Sequence, residues 1–157
     1  MADAALMARA NEIYNGLCAA LDARNWKYKK DEAALVVFFG VNGEDVPMQF
    51  IIKVDADRQL VRVMSPLPFK MSKEKRMEGA IATCVANYGM VDGSFDYDLS
   101  DGAISFRLTA SYRESDISEQ LFQYLISVTC VTVDAYNDKF LAVDKGVMSI
   151  ADFIAKG

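Results

Sequence analysis

Leu35-Val36-Val37-Phe38-Phe39, then Asn42-Gly43-Glu44-Asp45, then Met48-Gln49-Phe50-Ile51-Ile52-Lys53-Val54-Asp55 is the stretch that carries the topology. Its first segment is apolar on both faces. Its second is a turn in which Asn and Gly accept positive φ. Its third alternates Met48, Phe50, Ile52 and Val54 against Gln49, Ile51, Lys53 and Asp55, the period of a strand with one buried face. The three together predict a β-hairpin, with Pro47 tolerable only at the start or edge of the return strand.

Toward the N-terminus, Asp31-Glu32 is a turn and Trp26-Lys27-Tyr28-Lys29 alternates, so a further strand is expected before the hairpin. Asn25 suits the left-handed end of a helix, and Asp3 to Arg24 reads as that helix, with Leu6, Ala10, Ile13, Leu17 and Leu21 on one stripe widened by Tyr14 and Cys18. Toward the C-terminus, Asp55-Ala56-Asp57-Arg58 turns into a strand over Leu60 to Met64. Four strands then form a meander, and Pro66-Leu67-Pro68 is expected to end the sheet by removing two backbone donors.

Beyond the prolines, Ser72 is placed to cap a second helix with a stripe of Met77, Ala80, Ile81, Cys84, Val85 and Tyr88, closed by Gly89. Phe95, Tyr97 and Leu99 alternate with Ser94, Asp96 and Asp98. After a turn at Ser100-Asp101-Gly102, Ile104, Phe106, Leu108, Ala110 and Tyr112 alternate with Ser105, Arg107, Thr109 and Ser111, which makes a second hairpin. Ser118 opens a long third helix through Leu121, Phe122, Leu125, Ile126, Thr129, Val133, Tyr136 and Phe140, with Ile117 and Phe122 placed as a hydrophobic staple. The β-branched run Val128 to Val133 would suit a strand on propensity alone, against the helical spacing. Gly146 breaks the helix and Ser149 caps a short last one, Ile150 to Lys156. The expectation is one α+β domain over 1–157: an antiparallel sheet of about six strands, a four-strand meander plus a hairpin, packed with an N-terminal helix, a middle helix and C-terminal helices.

Composition agrees with a single core. The 157 residues are 52% hydrophobic and 25% charged, with 9 Gly and 3 Pro, which excludes collagen-like, low-complexity and disordered classes. Seventeen Lys and Arg against 22 Asp and Glu leave a net charge of -5, a field that repels polyphosphates and anionic lipid, so neither nucleic acid nor membrane is expected as a partner. The longest apolar run, Ala33 to Val41, is far short of the ~20 residues of a membrane span. The N-terminus carries Asp3 where a signal peptide would carry Lys or Arg, and Cys18, Cys84 and Cys130 are dispersed and odd in number. Both point to a cytoplasmic protein with buried thiols.

The chain contains no histidine, the usual general base of Ser and Cys nucleophiles and the commonest zinc ligand. The carboxylates of Asp96, Asp98 and Asp101 invite a calcium reading, but an EF-hand loop counted from Asp96 would need Gly sixth and Glu twelfth, where Asp101 and Arg107 stand. Glu44 with Asp45 and Asp55 with Asp57 fall in turns with nothing apolar to raise a pKa. No metal, cofactor or catalytic residue is expected, and the chain reads as a non-enzyme. Lys70, Lys73, Lys75 and Arg76 at the start of the second helix could draw an anion, though Glu74 and Glu78 dilute them; Lys27, Lys29 and Lys30 read as a charged guard on an edge strand.

The apolar surplus of the first hairpin is more informative. If Met48, Phe50, Ile52 and Val54 face the helices, then Ile51 faces away, together with one apolar set of the preceding strand, taken as Val36 and Phe38. Helices on one side only would leave Val36, Phe38 and Ile51 as an exposed apolar patch, the mark of a protein or peptide partner or of a second copy of the chain. The competing expectation is a small-molecule sensor with a pocket between sheet and helices, lined by Met64, Met77, Tyr88 and Tyr112.

Asn87, the run Gly93-Ser94-Phe95-Asp96-Tyr97-Asp98, Asp101-Gly102-Ala103-Ile104, and Tyr136, Phe140, Val143 and Gly146 followed by Ser149 and Ala151 resemble the YbjN-like family of bacterial proteins, described as sensory transduction regulators with a type III secretion chaperone-like fold. The resemblance covers most of the chain after Trp26. It implies a non-enzymatic, chaperone-like or regulatory binding domain able to pair with itself, and supplies no catalytic residues.

Overall fold

The Asp3 carboxylate accepts the Leu6 amide at 2.8 Å and so opens α1, Ala4–Ala23, by satisfying one of the free N–H groups of its first turn. Asn25, at φ 56°, ends it in the left-handed conformation expected of it. These elements belong to a computed structural model that describes residues 1–156; Gly157, the last residue of the expected domain, lies outside the described residues. The order continues β1 (Lys29–Asp31), β2 (Val36–Val41), β3 (Met48–Asp55), β4 (Leu60–Lys70), α2 (Arg76–Tyr88) after a 3-10 turn at Lys73–Lys75, β5 (Ser94–Asp98), β6 (Ala103–Ser111), α3 (Glu119–Asp144) and α4 (Ile150–Lys156).

The strands form one antiparallel sheet in the order β1-β2-β3-β4-β6-β5, the meander and the hairpin joined through β4 and β6. The α+β layout is the expected one. Its inner face is built from cross-strand partners of matching parity: Val37 opposite Ile52, Phe39 opposite Phe50, Ile52 opposite Val63, Val63 opposite Leu108 and Phe95 opposite Phe106. All are buried, and α1, α2 and α3 pack on that side. Gly102, at φ +79°, supplies the positive-φ turn of the second hairpin.

Ser118 caps α3 by accepting the Leu121 amide at 3.0 Å, with Ile117 and Phe122 both buried beside it as a staple requires. Val128 to Val133 is helical, because one face of α3 is buried from Phe122 to Val143 and that burial outweighs the β preference of single residues. Phe95 and Phe140 (ring centroids 5.0 Å apart) and Phe140 and Phe153 (5.5 Å) tie β5, α3 and α4 together. Of the aromatics in the family resemblance, Phe95 and Phe140 are therefore core residues, and Tyr97 and Tyr136 pack half-buried against that core.

Three expectations are corrected. First, β4 runs through Pro66 and Pro68 to Lys70. Its pairing with β3 ends at Met64 and its pairing with β6 slips between Pro66 and Lys70, so the missing N–H groups fall where the ladder is already interrupted. Second, Ser72 makes no side-chain cap; its amide donates to Asp144 at 2.7 Å instead, tying the start of α2 to the end of α3. Third, the stripe expected to bury α2 faces outward. The buried residues of α2 are Gly79, Ala82, Thr83 and Ala86, while Met77, Ile81, Cys84 and Tyr88 are exposed. A Cβ on Gly79 would stand 2.6 Å from the Tyr97 hydroxyl and 2.8 Å from Met71 Cγ, so α2 lies too close to the sheet for anything but small side chains.

Candidate functional site

Each strand of the sheet turns alternate residues away from the helices, and the register lines these up in rows. One row crosses all six strands: Lys29, Phe38, Ile51, Met64, Arg107 and Ser94. Its middle is apolar. Phe38 is 42% exposed, and Ile51 and Met64 are half-buried. The neighbouring row is Asp31, Val36, Lys53, Arg62 and Thr109. Val36 therefore shares the outward face, but it is 7% exposed, flanked by Asp31 and Lys53, and offers no accessible surface. Of the three residues expected to form a docking patch, Phe38 and Ile51 come together and Val36 lies beneath its neighbours.

Phe38 and Ile51 line an open concavity of about 730 Å³, with Gly40, Gln49, Lys27 and Lys29 among its other walls. Gly40 contributes no side chain, so the outward face drops away beyond Phe38. Lys27, Lys29 and nearby Lys53 are exposed, and among the described residues none of the three has a carboxylate at ion-pair distance. Farther along the sheet the cations are paired: Arg62 with Asp55 at 3.2 Å and Arg107 with Asp96 at 2.8 Å. On a chain of net charge -5 the concavity is thus a local basic site over apolar side chains.

Both sheet edges are defined. At β5, the Asn87 side chain donates to the Phe95 carbonyl (2.9 Å) and accepts the Phe95 amide (2.7 Å), so at Phe95 it occupies the edge groups that an added strand would use. At β1 only three residues are strand, all exposed, and this edge borders the concavity.

The remaining candidates separate. Met64 lies on the outward sheet face, Met77 and Tyr88 on the solvent side of α2, and Tyr112 is buried with its hydroxyl donating to the Asp55 carbonyl at 3.2 Å. These four line no common pocket, because inversion of α2 carries two of them away from the sheet. Among the acids, Asp96 pairs with Arg107, Asp98 accepts from Ser100, and Asp101 pairs with Lys70 at 2.6 Å and accepts the Ala103 amide. Lys70, one of the four cations around the start of α2, is thereby neutralised. Asp55 is buried, contrary to its reading as an open turn acid. Burial alone would raise its pKa, but the Arg58 amide and the Arg58 and Arg62 guanidiniums outweigh this and hold it below the usual range. Burial raises the Cys18 thiol and pushes Cys130 up to about 11, away from nucleophile chemistry; Cys84 is exposed on α2, not buried.

Sequence reasoning missed Met64 and Gly40 as parts of this face and gave Lys27 and Lys29 only a guarding part. A signal for Met64 was present: it shares parity with Arg62, while Val61 and Val63 take the other face. No protein-family model matches the chain, and neither does any curated protein.

Proposed function

We propose that the chain is a non-enzymatic protein-binding module, chaperone-like or regulatory, which holds an extended peptide segment against the outward sheet face beside β1. The observation that carries this reading is the pairing of accessible Phe38 and Ile51 with unpaired Lys27 and Lys29 around one concavity. An extended segment presents side chains alternately, so one carrying apolar and acidic residues can bury the former on Phe38 and Ile51 and direct the latter to the lysine rim. Burial of two such side chains contributes about 2 to 4 kcal/mol, and the lysines chiefly speed and orient encounter. The family resemblance supports the same class of function, and the odd, dispersed cysteines support a cytoplasmic setting. No helix among the described residues is long and apolar enough to cross a membrane.

The test is fluorescence anisotropy with two labelled ten-residue peptides, one alternating apolar residues with Glu and one alternating them with Lys. The acidic peptide is expected to bind the protein more tightly, and Phe38→Lys with Ile51→Lys to weaken it at least tenfold while circular dichroism is unchanged. Equal binding of both peptides, undiminished binding by the double variant, or its unfolding would each overturn the reading.

A further inference from the structure

The chain carries the dipeptide Asn-Gly twice, at Asn15-Gly16 and at Asn42-Gly43. In this pair the side-chain amide is most open to attack by the next backbone nitrogen, because Gly has no Cβ to shield that nitrogen or to restrict the turn the chain must make. Both asparagines are exposed, so solvent access does not distinguish them. The backbone does. Asn15 and Gly16 lie in the middle of α1, where helical geometry commits the Gly16 amide to the Glu12 carbonyl and holds ψ away from the value that ring closure needs. Asn42 and Gly43 lie between β2 and β3, outside any helix or strand, and among the described residues neither the Asn42 side chain nor the Gly43 amide has a hydrogen-bond partner. The two Asp-Gly pairs, which could close the same ring, are also committed: Asp92 accepts the Tyr124 hydroxyl, and the Gly102 amide donates to the Asp98 carbonyl at 2.7 Å.

We infer that Asn42 is a self-modification site at which the folded protein converts an amide to a carboxylate, and that this conversion releases the β2–β3 connection from α3. The Gly43 nitrogen bonds to Asn42 Cγ, the Cγ–N bond of the side-chain amide breaks, and the proton lost by Gly43 leaves with that nitrogen as ammonia. The product is a cyclic imide. Water then adds to one of its two carbonyl carbons and the C–N bond there breaks. Opening at Cγ gives aspartate; opening at the main-chain carbonyl gives isoaspartate, whose main chain is one methylene longer. Water is consumed, ammonia is released, and nothing is oxidised or reduced.

The surroundings give the change its effect. The Asp134 carboxylate of α3 stands where a Cβ of Gly43 would be and accepts the Glu44 amide at 3.0 Å, while Asn137 donates to the Val46 carbonyl at 3.3 Å. These two bonds dock the connection on α3. A carboxylate at position 42 adds like charge next to Glu44, Asp45 and Asp134, and the longer isoaspartyl main chain carries the Glu44 amide off Asp134.

The test keeps the whole chain for days at mildly alkaline pH and maps it by peptide mass spectrometry, with fragmentation that separates isoaspartate from aspartate. Asn42 is expected to gain about 1 Da as NH2 becomes OH, at least about tenfold faster than Asn15, which reacts only when α1 opens. In urea, with α1 unfolded, the two rates should come within about threefold. Asn42→Gln, which would have to close a larger ring, should abolish the gain at that position. Once Asn42 has converted, hydrogen exchange at the Glu44 amide should be severalfold faster than in the fresh chain. No gain at Asn42, a gain at Asn15 that keeps pace with it in the folded chain, or unchanged exchange at Glu44 would overturn the inference.

Discussion

Asp55 ends β3 with its side chain buried and fully engaged. One oxygen accepts the Arg58 amide at 3.0 Å, and the other accepts Arg58 and Arg62 guanidinium N–H groups at 3.2 Å each. Arg58 is exposed and weakly held, so most of the stabilisation comes from the amide and from half-buried Arg62. Because its native pKa is depressed, Asp55 contributes stability that is complete above the unfolded value of about 3.9 and is lost as pH falls through the lower native value. Asp55→Asn is expected to cost about 1 to 2 kcal/mol at pH 7. Thermal melts should show that deficit shrinking steadily below about pH 4. A deficit independent of pH would mean that the carboxylate charge is not what the site uses.

Gly79 makes the corresponding case for α2. A larger side chain there gains helix propensity but meets Tyr97, which is held in place by its own hydroxyl donating to the Arg76 carbonyl at 2.7 Å. Overpacking should win, so Gly79→Leu is expected to lose about 1 to 3 kcal/mol in denaturant unfolding. A neutral result would show that α2 can lift from the sheet. The same helix shows where sequence reading stops. Period-two alternation in β3 and β6 located strands and inner faces, because a sheet shielded on one side leaves that alternation in the residues themselves, whereas β2, apolar on both faces, showed a strand without showing which side is inner. The caps Asp3 and Ser118 and the turn at Asn25 were legible for a similar reason: each satisfies or relieves a local backbone requirement. In α2 the apolar stripe was visible, but the face it would meet was not. Large apolar residues on one side and Gly, Ala and Thr on the other allow either burial, and the approach distance to β5 selects the small side. Ile51 followed from parity, and Phe38 from taking its set of a doubly apolar strand as the outward one. The burial of Val36 did not, because it depends on side chains two strands apart in sequence, Asp31 and Lys53.

Helices on one flank of a six-stranded sheet leave two apolar surfaces that do not compete. The Phe38 concavity opens from the uncovered flank near the β1 edge, whereas α2 covers the inner flank near β5, at the other end of the strand order. At about 4.8 Å per strand, the four steps from β2 to β5 span roughly 20 Å. Substitutions that far apart with no shared neighbours are expected to act independently. Ile81→Lys with Tyr88→Lys on the outward face of α2 should therefore leave the dissociation constant for an acidic peptide within about twofold, while Phe38→Lys should weaken it, as anisotropy titrations of the two variants would read. Loss of peptide binding in the α2 variant would instead mean that the two flanks of the sheet are coupled, and the two surfaces would have to be treated as one.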